Sequence, residues 1–505
     1  MKFNFFKKNE NAVKNYEGET AFKLTPELEL YSAVVTAGLN DNFYEKSDTR
    51  LARIQKLMLK NNSEYVAKLA VYARNEMYMR SVPMVLAVEL AKLNSGDAIV
   101  SKTVAGVVKR ADEITELLAY YQMANGRSGT KKLNKLSKQI QKGLSVAFNR
   151  FDEYQFAKYN REAEIKLRDA LFLVHPKAKD ENQQMIFNKI ASNELAVPYT
   201  WETELSALGQ TKYASDKEKA TAFRTKWEEL IGSGKVGYMA LMRNLRNILE
   251  AKVSATHIKK VCDYLSNETA VANSKQLPFR FLAAHREIKL LKSEFVTMVL
   301  NALEDAVVAS VKNLKGFDEN TAVLIACDVS GSMQKVTSAK SKVMLFDIGL
   351  MLGMLMQSKC KRVVSGMFGD SWKVINMPNR GVLANIDQYY KREGEVGYST
   401  NGYKVIDDLI ARKVIMDKVM LFTDCQLWDS RFGGSSLAKS WKAYKAIAPK
   451  AKLYLFDLAG YGNTPLKVEN MDVNLIAGWS DKVFDVLHAM ENGVSAVEKI
   501  KQVQL

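Results

Sequence analysis

The sequence predicts a multidomain protein in which an all-α array of helical repeats precedes an α/β domain of Rossmann-like type. Three observations predict it. The chain, at 505 residues, is too long for a single hydrophobic core. Residues 20–315 carry helix after helix, with medium-length apolar-periodic runs joined by short loops and no convincing strand alternation. Near residue 316 the pattern changes to short apolar runs alternating with longer helical stretches, as expected of βαβ units around a mostly parallel sheet. The segments are therefore an N-terminal extension (1–20), a helical domain (21–315) and an α/β domain (316–505).

In the helical part, Thr25-Pro26-Glu27 is a helix start, with a capping hydroxyl, proline at the first helical position and an acid near the positive end of the dipole. Pro83, Pro198 and Pro278 each lead an apolar-periodic run. In the α/β part, strands are expected at 322–327, 362–368, 418–422, 452–458 and 473–477. Helices are expected at 338–357, 403–413, 435–448 and 480–490. Ligands of such sheets bind at the carboxyl ends of the strands.

Composition sets the class of partner. Hydrophobic residues at 47% and charged residues at 26% are ordinary for a folded soluble chain. No apolar run reaches the ~20 residues of a membrane span. The amino terminus, MKFNFFKKNENAVKNYEG, has no apolar signal core, so a cytoplasmic protein with no membrane partner is expected. Cys262, Cys327, Cys360 and Cys425 are scattered, without zinc spacing. The net charge is +17, of which residues 316–505 hold only +4 and residues 1–315 hold +13. That asymmetry points to polyanions, RNA or DNA first, with simple solubility as the bland alternative.

The chemistry-bearing constellation is Asp328-Val-Ser-Gly-Ser332, directly after the first strand. One carboxylate and the hydroxyls of Ser330 and Ser332 place three oxygens on one side of a loop that Gly331 lets bend. Thr400 lies in Gly397-Tyr-Ser-Thr-Asn-Gly402, and Asp424 ends the strand Val-Met-Leu-Phe-Thr-Asp. Asp328, Ser330, Ser332, Thr400 and Asp424 are the expected ligands of a divalent cation, Mg²⁺ first, because hard cations take oxygen donors. A Ser/Asp-rich turn capping a helix is the plainer reading of D-x-S-x-S alone. A phosphatase of the haloacid type would need a second Asp where Ser330 stands, and no other nucleophile–base pair is evident, so no enzyme is expected. The constellation resembles the metal-ion-dependent adhesion site of von Willebrand factor A domains, over about residues 320–505. It departs from that pattern in having Asn401 where an acid commonly follows the threonine.

Between Glu116 and Asp152 there is no acidic residue in 35 positions. Lys131, Lys135, Lys138 and Lys142 are spaced to share one helix face, with Leu133, Leu136, Ile140 and Leu144 opposite. Such a face suits phosphate, and a solvated helix face is the alternative. Tyr154, Phe156, Lys158, Tyr159 and Arg161 follow, then His175-Pro176-Lys177, and aromatics among cations suit stacking on unpaired bases as well as ordinary packing.

Four segments, Tyr65–Arg74, Val82–Leu90, Gly237–Arg246 and Leu277–His285, resemble the TROVE module of Ro autoantigen proteins, in which an A-like domain follows as it does here. The resemblance implies a ring of HEAT-like helical repeats, a monomer that is not an enzyme. It also implies binding of small non-coding Y-type RNA on an outer basic surface and of single-stranded ends of misfolded or structured RNA in a central hole. RNA quality control or processing, with an exoribonuclease as a possible partner, is the implied role. Lys158 and His175 fall at matching outer-surface positions; the strictly matching third position holds Glu162, with Arg161 its neighbour. Arg243 and Arg246 lie in the motif that resembles a hole-lining element, and helix–helix salt bridging is their ordinary alternative. The rival from another class is a metal-dependent protein-interaction scaffold. A third, a metal-dependent nuclease, lacks a general base.

Overall fold

A computed structural model of the chain describes residues 12–37, 45–126, 136–160, 162–310, 320–337, 343–428, 436–468, 472–480 and 482–505. Its contacts divide it into two compact units, neither contiguous in sequence. One gathers the described residues up to Lys60, those of 275–286 and those of 303–499. The other gathers 61–274, 287–302 and 500–505.

The first unit is built on a six-stranded sheet. Its strands are β3 (Ala322–Asp328), β4 (Arg362–Phe368), β5 (Trp372–Val374), β6 (Lys418–Thr423), β7 (Lys452–Asp457) and β9 (Val473–Ala477), in the order β5-β4-β3-β6-β7-β9. All pairs are parallel except β4–β5. The central strands β3 and β6 are buried from end to end, which is why they read as unbroken apolar runs. The five expected strands appear within a residue of their expected ends. The helix expected over 338–357 begins, in its described part, at Leu345; the Asp347 carboxylate accepts the Met344 N–H (3.0 Å) at its start.

Four described strands fall outside the expected set: β5, and the antiparallel sheet of β1 (Ala12–Lys14), β2 (Thr20–Lys23) and β8 (Asn463–Thr464). They are two to four residues long, too short to show a period. β2 pairs with β8, so the amino-terminal segment is stitched to the large-sheet unit. The next helix, Pro26–Val35, docks there too. Thr25 caps it by accepting the Leu28 N–H (3.3 Å); Tyr31 Oη donates to the Ala477 carbonyl (2.9 Å); Ser32 Oγ donates to Asp457 Oδ2 (2.6 Å). Local periodicity reports that a segment is helical but not which unit receives its apolar face. The compact units accordingly cross the pattern change at residue 316.

The second unit is helical. Helices Ser63–Asn75, Ser81–Leu93 and Ile99–Val107 pack on one another, and Lys138–Phe148 packs on Ile99–Val107. Its most demanding feature is Glu113, fully buried, whose carboxylate takes Arg74 Nη2 (2.9 Å), Arg80 Nε (3.0 Å) and the backbone N–H groups of Lys109 (2.8 Å) and Arg110 (3.1 Å). A buried charge is tolerated because every lone pair is occupied. No helix among the described residues is long and apolar enough to cross a membrane, and all four cysteines are free and buried.

Candidate cation site and exposed basic residues

The site in the sheet unit follows from strand register. Asp328 closes β3 and lies opposite Phe368 of β4, while Cys327 lies opposite Phe422 of β6. The strands on either side of Asp328 therefore end level with it, and Asp424 follows immediately on β6. Thr423 Oγ1 donates to Asp328 Oδ2 (2.6 Å), and Asp328 Oδ1 accepts the Ser330 N–H (2.9 Å). Ser330 Oγ and Ser332 Oγ are 3.2 Å apart.

The Thr400 loop is brought in through the end of β4. Asp370 Oδ1 accepts the Ser399 N–H (3.0 Å), the Asp370 carbonyl accepts Asn401 Nδ2 (3.1 Å), and the Gly369 carbonyl accepts the Asn401 N–H (3.1 Å). Gly331 N donates to the Tyr398 carbonyl (3.2 Å), and Trp428 N to that of Thr400 (3.0 Å). Gly397 has φ +72°, and a Cβ there would lie 2.0 Å from Asp370 Oδ2, so glycine is required. Asn401 thus spends its side chain on holding the loop, which accounts for an amide where an acid is common.

The structure brings Asp328, Ser330, Ser332, Thr400 and Asp424 to one edge of the sheet, all buried. Ser330, Ser332 and Thr400 line a cavity of about 280 Å³, with Gly331, Tyr398, Ser399, Trp428 and Glu17 completing the wall. The donor set fits a hard divalent cation in chemistry: two carboxylates and three hydroxyls, all oxygen. Asp424 Oδ2 is buried without a hydrogen-bond partner. Burial pushes both carboxyls up, Asp328 against the lowering effect of its Thr423 and Ser330 hydrogen bonds, and Asp424 with the Asp328 charge as the second cause. A bound cation would reverse that electrostatic penalty. Among the described residues no cluster of three or more His, Cys, Asp or Glu is arranged to hold a metal, so a site here depends on the hydroxyls.

Three contributors went unseen in the sequence. Thr423 and Asp370 are positioning residues, and Glu17 comes from the other end of the chain. The turn Asn15-Tyr-Glu-Gly18 is legible as a turn, but nothing in it points to the carboxyl edge of a sheet that begins 300 residues later.

In the helical unit, Lys138 and Lys142 stand exposed one turn apart at the start of helix Lys138–Phe148; Lys131, Lys135, Arg161 and Leu133 lie outside the described residues. The Gln141 side chain between them donates to the Val174 carbonyl (2.9 Å), next to His175. His175 is exposed at the C-cap of helix Leu167–Val174, in left-handed conformation (φ 47°). Lys158 is half-buried, its Nζ 5.8 Å from the Tyr154 ring centre and 5.7 Å from that of Tyr159, on which Arg110 also stacks at 4.4 Å. Glu162 pairs with Lys166 (2.8 Å). On helix Tyr238–Glu250, Arg243 and Arg246 are both exposed; Arg246 pairs with Glu250 (2.9 Å) along its own helix rather than across helices.

Comparison with known proteins places this arrangement. The chain is 25% identical over 337 residues to telomerase protein component 1 of Mus musculus and 24% identical over 310 residues to that of Rattus norvegicus. Those alignments cover 50% and 46% of this chain but only 12% and 11% of the relatives. The crystal structure of the Deinococcus radiodurans RO (RSR) protein superposes with a TM-score of 0.59 at 16% identity, covering 93% of this chain and all of that one, which shows a shared fold. The TROVE domain model matches residues 30–226 and 193–343, well over half of the sequence, and the chain therefore belongs to the TROVE-domain family.

Proposed function

We propose that the chain is a non-enzymatic RNA-binding protein. In this reading it holds small non-coding RNA of the Y type and the single-stranded ends of structured or misfolded RNA, in RNA quality control or processing, with any degradation left to a partner exoribonuclease. The observation that carries the reading is that Lys138 and Lys142, in the stretch between Glu116 and Asp152 that holds no acid, are exposed on a helix tied through Gln141 to the segment of chain before His175, itself exposed, while Lys158 lies beside two tyrosine rings, all within the TROVE match. Lysines give phosphate affinity without sequence information, and rings beside them suit unpaired bases. The setting is cytoplasmic.

Asp328, Ser330, Ser332, Thr400 and Asp424 would hold Mg²⁺ in a von Willebrand A-type site. The cation would neutralise the two buried carboxylates and fix the two loops that carry the three hydroxyls. Among the described residues no histidine or lysine lines the cavity. The same cavity favours a second reading, a metal-dependent scaffold that grips a partner carboxylate. Purification from the native host separates the two: co-purified RNA, and affinity for a 3′-tailed RNA that falls steeply with salt, are expected. Protein free of nucleic acid that binds such RNA no better than a neutral control would overturn the RNA reading.

A further inference from the structure

We propose that the sheet unit carries a protein-docking surface at the amino edge of its large sheet, the end away from the oxygen-lined cavity. Ile415 and Ile447 form its apolar centre, and Lys413, Lys442 and Lys450 its rim. The partner it fits is an acidic protein segment that offers aliphatic side chains. The inference goes beyond the RNA reading and does not rest on it.

Two isoleucines stand in solvent here, Ile415 at 59% exposure and Ile447 at 42%. Both are held in place. Ile415 follows the end of helix Tyr403–Ala411, where Lys413 takes φ 54° and Val414 N returns to the Leu409 carbonyl (2.9 Å). The buried Tyr444 then grips the chain on either side of it: its hydroxyl accepts the Met416 N–H (2.7 Å) and donates to the Val414 carbonyl (3.1 Å). Tyr444 belongs to helix Leu437–Ile447, one turn before Ile447. Beyond that helix the chain returns along the same segment, with Lys452 N donating to the Asp417 carbonyl (2.9 Å) where β7 begins beside β6. One hydrogen-bonded frame therefore carries both isoleucines, with Ala443 and Ala446 exposed beside Ile447 on its helix. Apolar side chains fixed in solvent contribute nothing to the fold, and only a partner would bury them.

Charge sets the kind of partner. Between Asp429 and Asp457 the sequence has no acid and holds Arg431, Lys439, Lys442, Lys445, Lys450 and Lys452. Lys445 is committed to Asp472 (2.7 Å), while Lys413, Lys439, Lys442 and Lys450 stand exposed. The acids nearby are engaged: Asp417 Oδ2 accepts the Ala322 N–H (2.7 Å), Asp408 pairs with Arg412 (2.6 Å), and Glu491 with Lys418 (3.0 Å). An apolar centre with a positive rim complements an acidic amphipathic segment. RNA would also meet the lysines, but unpaired bases are held by stacking on rings. Both rings of this helix, Trp441 and Tyr444, are buried, and the side chains offered in their place are aliphatic.

The test uses the full chain and a fluorescent helical peptide of about 16 residues, with leucines along one face and glutamates elsewhere, read by anisotropy. The wild type is expected to bind it, less tightly as salt rises. Ile415→Ser with Ile447→Ser, and separately Lys442→Glu with Lys450→Glu, should each weaken binding about tenfold or more. Tm should stay within about a degree, because the replaced side chains are exposed. Lys138→Ala with Lys142→Ala, in the helical unit, should leave peptide affinity unchanged. Equal affinity of the wild type and the isoleucine variant, or no binding by the wild type at about 1 mM peptide, would overturn the proposal. A fall in Tm of several degrees in the isoleucine variant would make those side chains structural and overturn it as well. Loss of single-stranded RNA affinity in Lys442→Glu with Lys450→Glu, with peptide binding intact, would assign the edge to nucleic acid instead.

Discussion

The oxygen-lined cavity and the basic surface of the helical unit are built on opposite principles. The cavity draws on residues 17, 328–332, 370, 398–401 and 423–428, which only strand register and a docked hairpin bring together, and its five expected ligands are buried. The basic residues come from two neighbouring stretches, 138–142 and 158–175, and Lys138, Lys142 and His175 stand in solvent. A buried oxygen cluster is coupled to folding, so each change there alters stability and binding together. Exposed lysines act nearly independently, and their removal should leave the fold alone and change only the response to polyanions and salt.

The largest effect expected within the helical unit comes from its interior rather than its binding surface. Glu113→Ala leaves Arg74 Nη2, Arg80 Nε and two backbone N–H groups without their acceptor, and should cost about 3–5 kcal/mol in denaturant unfolding. A loss below about 1 kcal/mol would mean the guanidinium groups find water, and the contrast between buried and exposed charge would fail.

Asp328→Asn probes the cavity in the same terms. Wild type should gain about 2.7 kcal/mol from Mg²⁺ at a hundredfold excess over Kd, seen as a rise in Tm, and the variant should gain nothing. The pH dependence sharpens this. Burial raises the Asp328 and Asp424 carboxyls above their ordinary range. Such groups favour the folded state while protonated and lose that contribution as pH rises through the raised range. Metal-free wild type should therefore lose stability from pH 5 to pH 8, and Asp328→Asn should lose less. Equal slopes would deny that these carboxyls are the source.

Joint Lys138→Ala, Lys142→Ala and Lys158→Ala should lower affinity for single-stranded RNA about tenfold near 0.1 M salt and reduce the log–log salt slope by about 2–3. Tm should stay within about a degree for the two exposed positions. An unchanged slope would move the RNA surface elsewhere. The smallest expected effect is Asn401→Asp, which restores the acid common at that position but cannot donate to the Asp370 carbonyl. A loss of about 1 kcal/mol is expected, with no gain in Mn²⁺ affinity; a clear gain would show that the amide is dispensable.

Much of this was legible in the sequence because the relevant signals are local. Five strands of the large sheet announced themselves as fully buried apolar runs, and the Asp328–Ser332 loop followed its strand directly, so its chemistry and its place at a carboxyl edge could be read together. Thr400 and Asp424 were legible for the same reason, each sitting at the end of an element. The short strands β1, β2, β5 and β8 were not, since two to four residues carry no period. The four-lysine helix face is described only from Lys138 onward, where a helix starts behind Ser137.

The sequence by itself determined the two kinds of architecture, the oxygen chemistry at the strand ends and the concentration of positive charge in the helical part, because hydrophobic period, residue type and net charge are properties of short stretches. Only the tertiary structure decided that the amino-terminal hairpin belongs to the sheet unit, that Glu17 joins the wall of the oxygen-lined cavity, that the Asn401 side chain holds its own loop, and that Arg246 is occupied by Glu250. Each of those is a contact between segments, or a choice among possible partners, and such contacts are set by which surfaces bury one another when the chain folds.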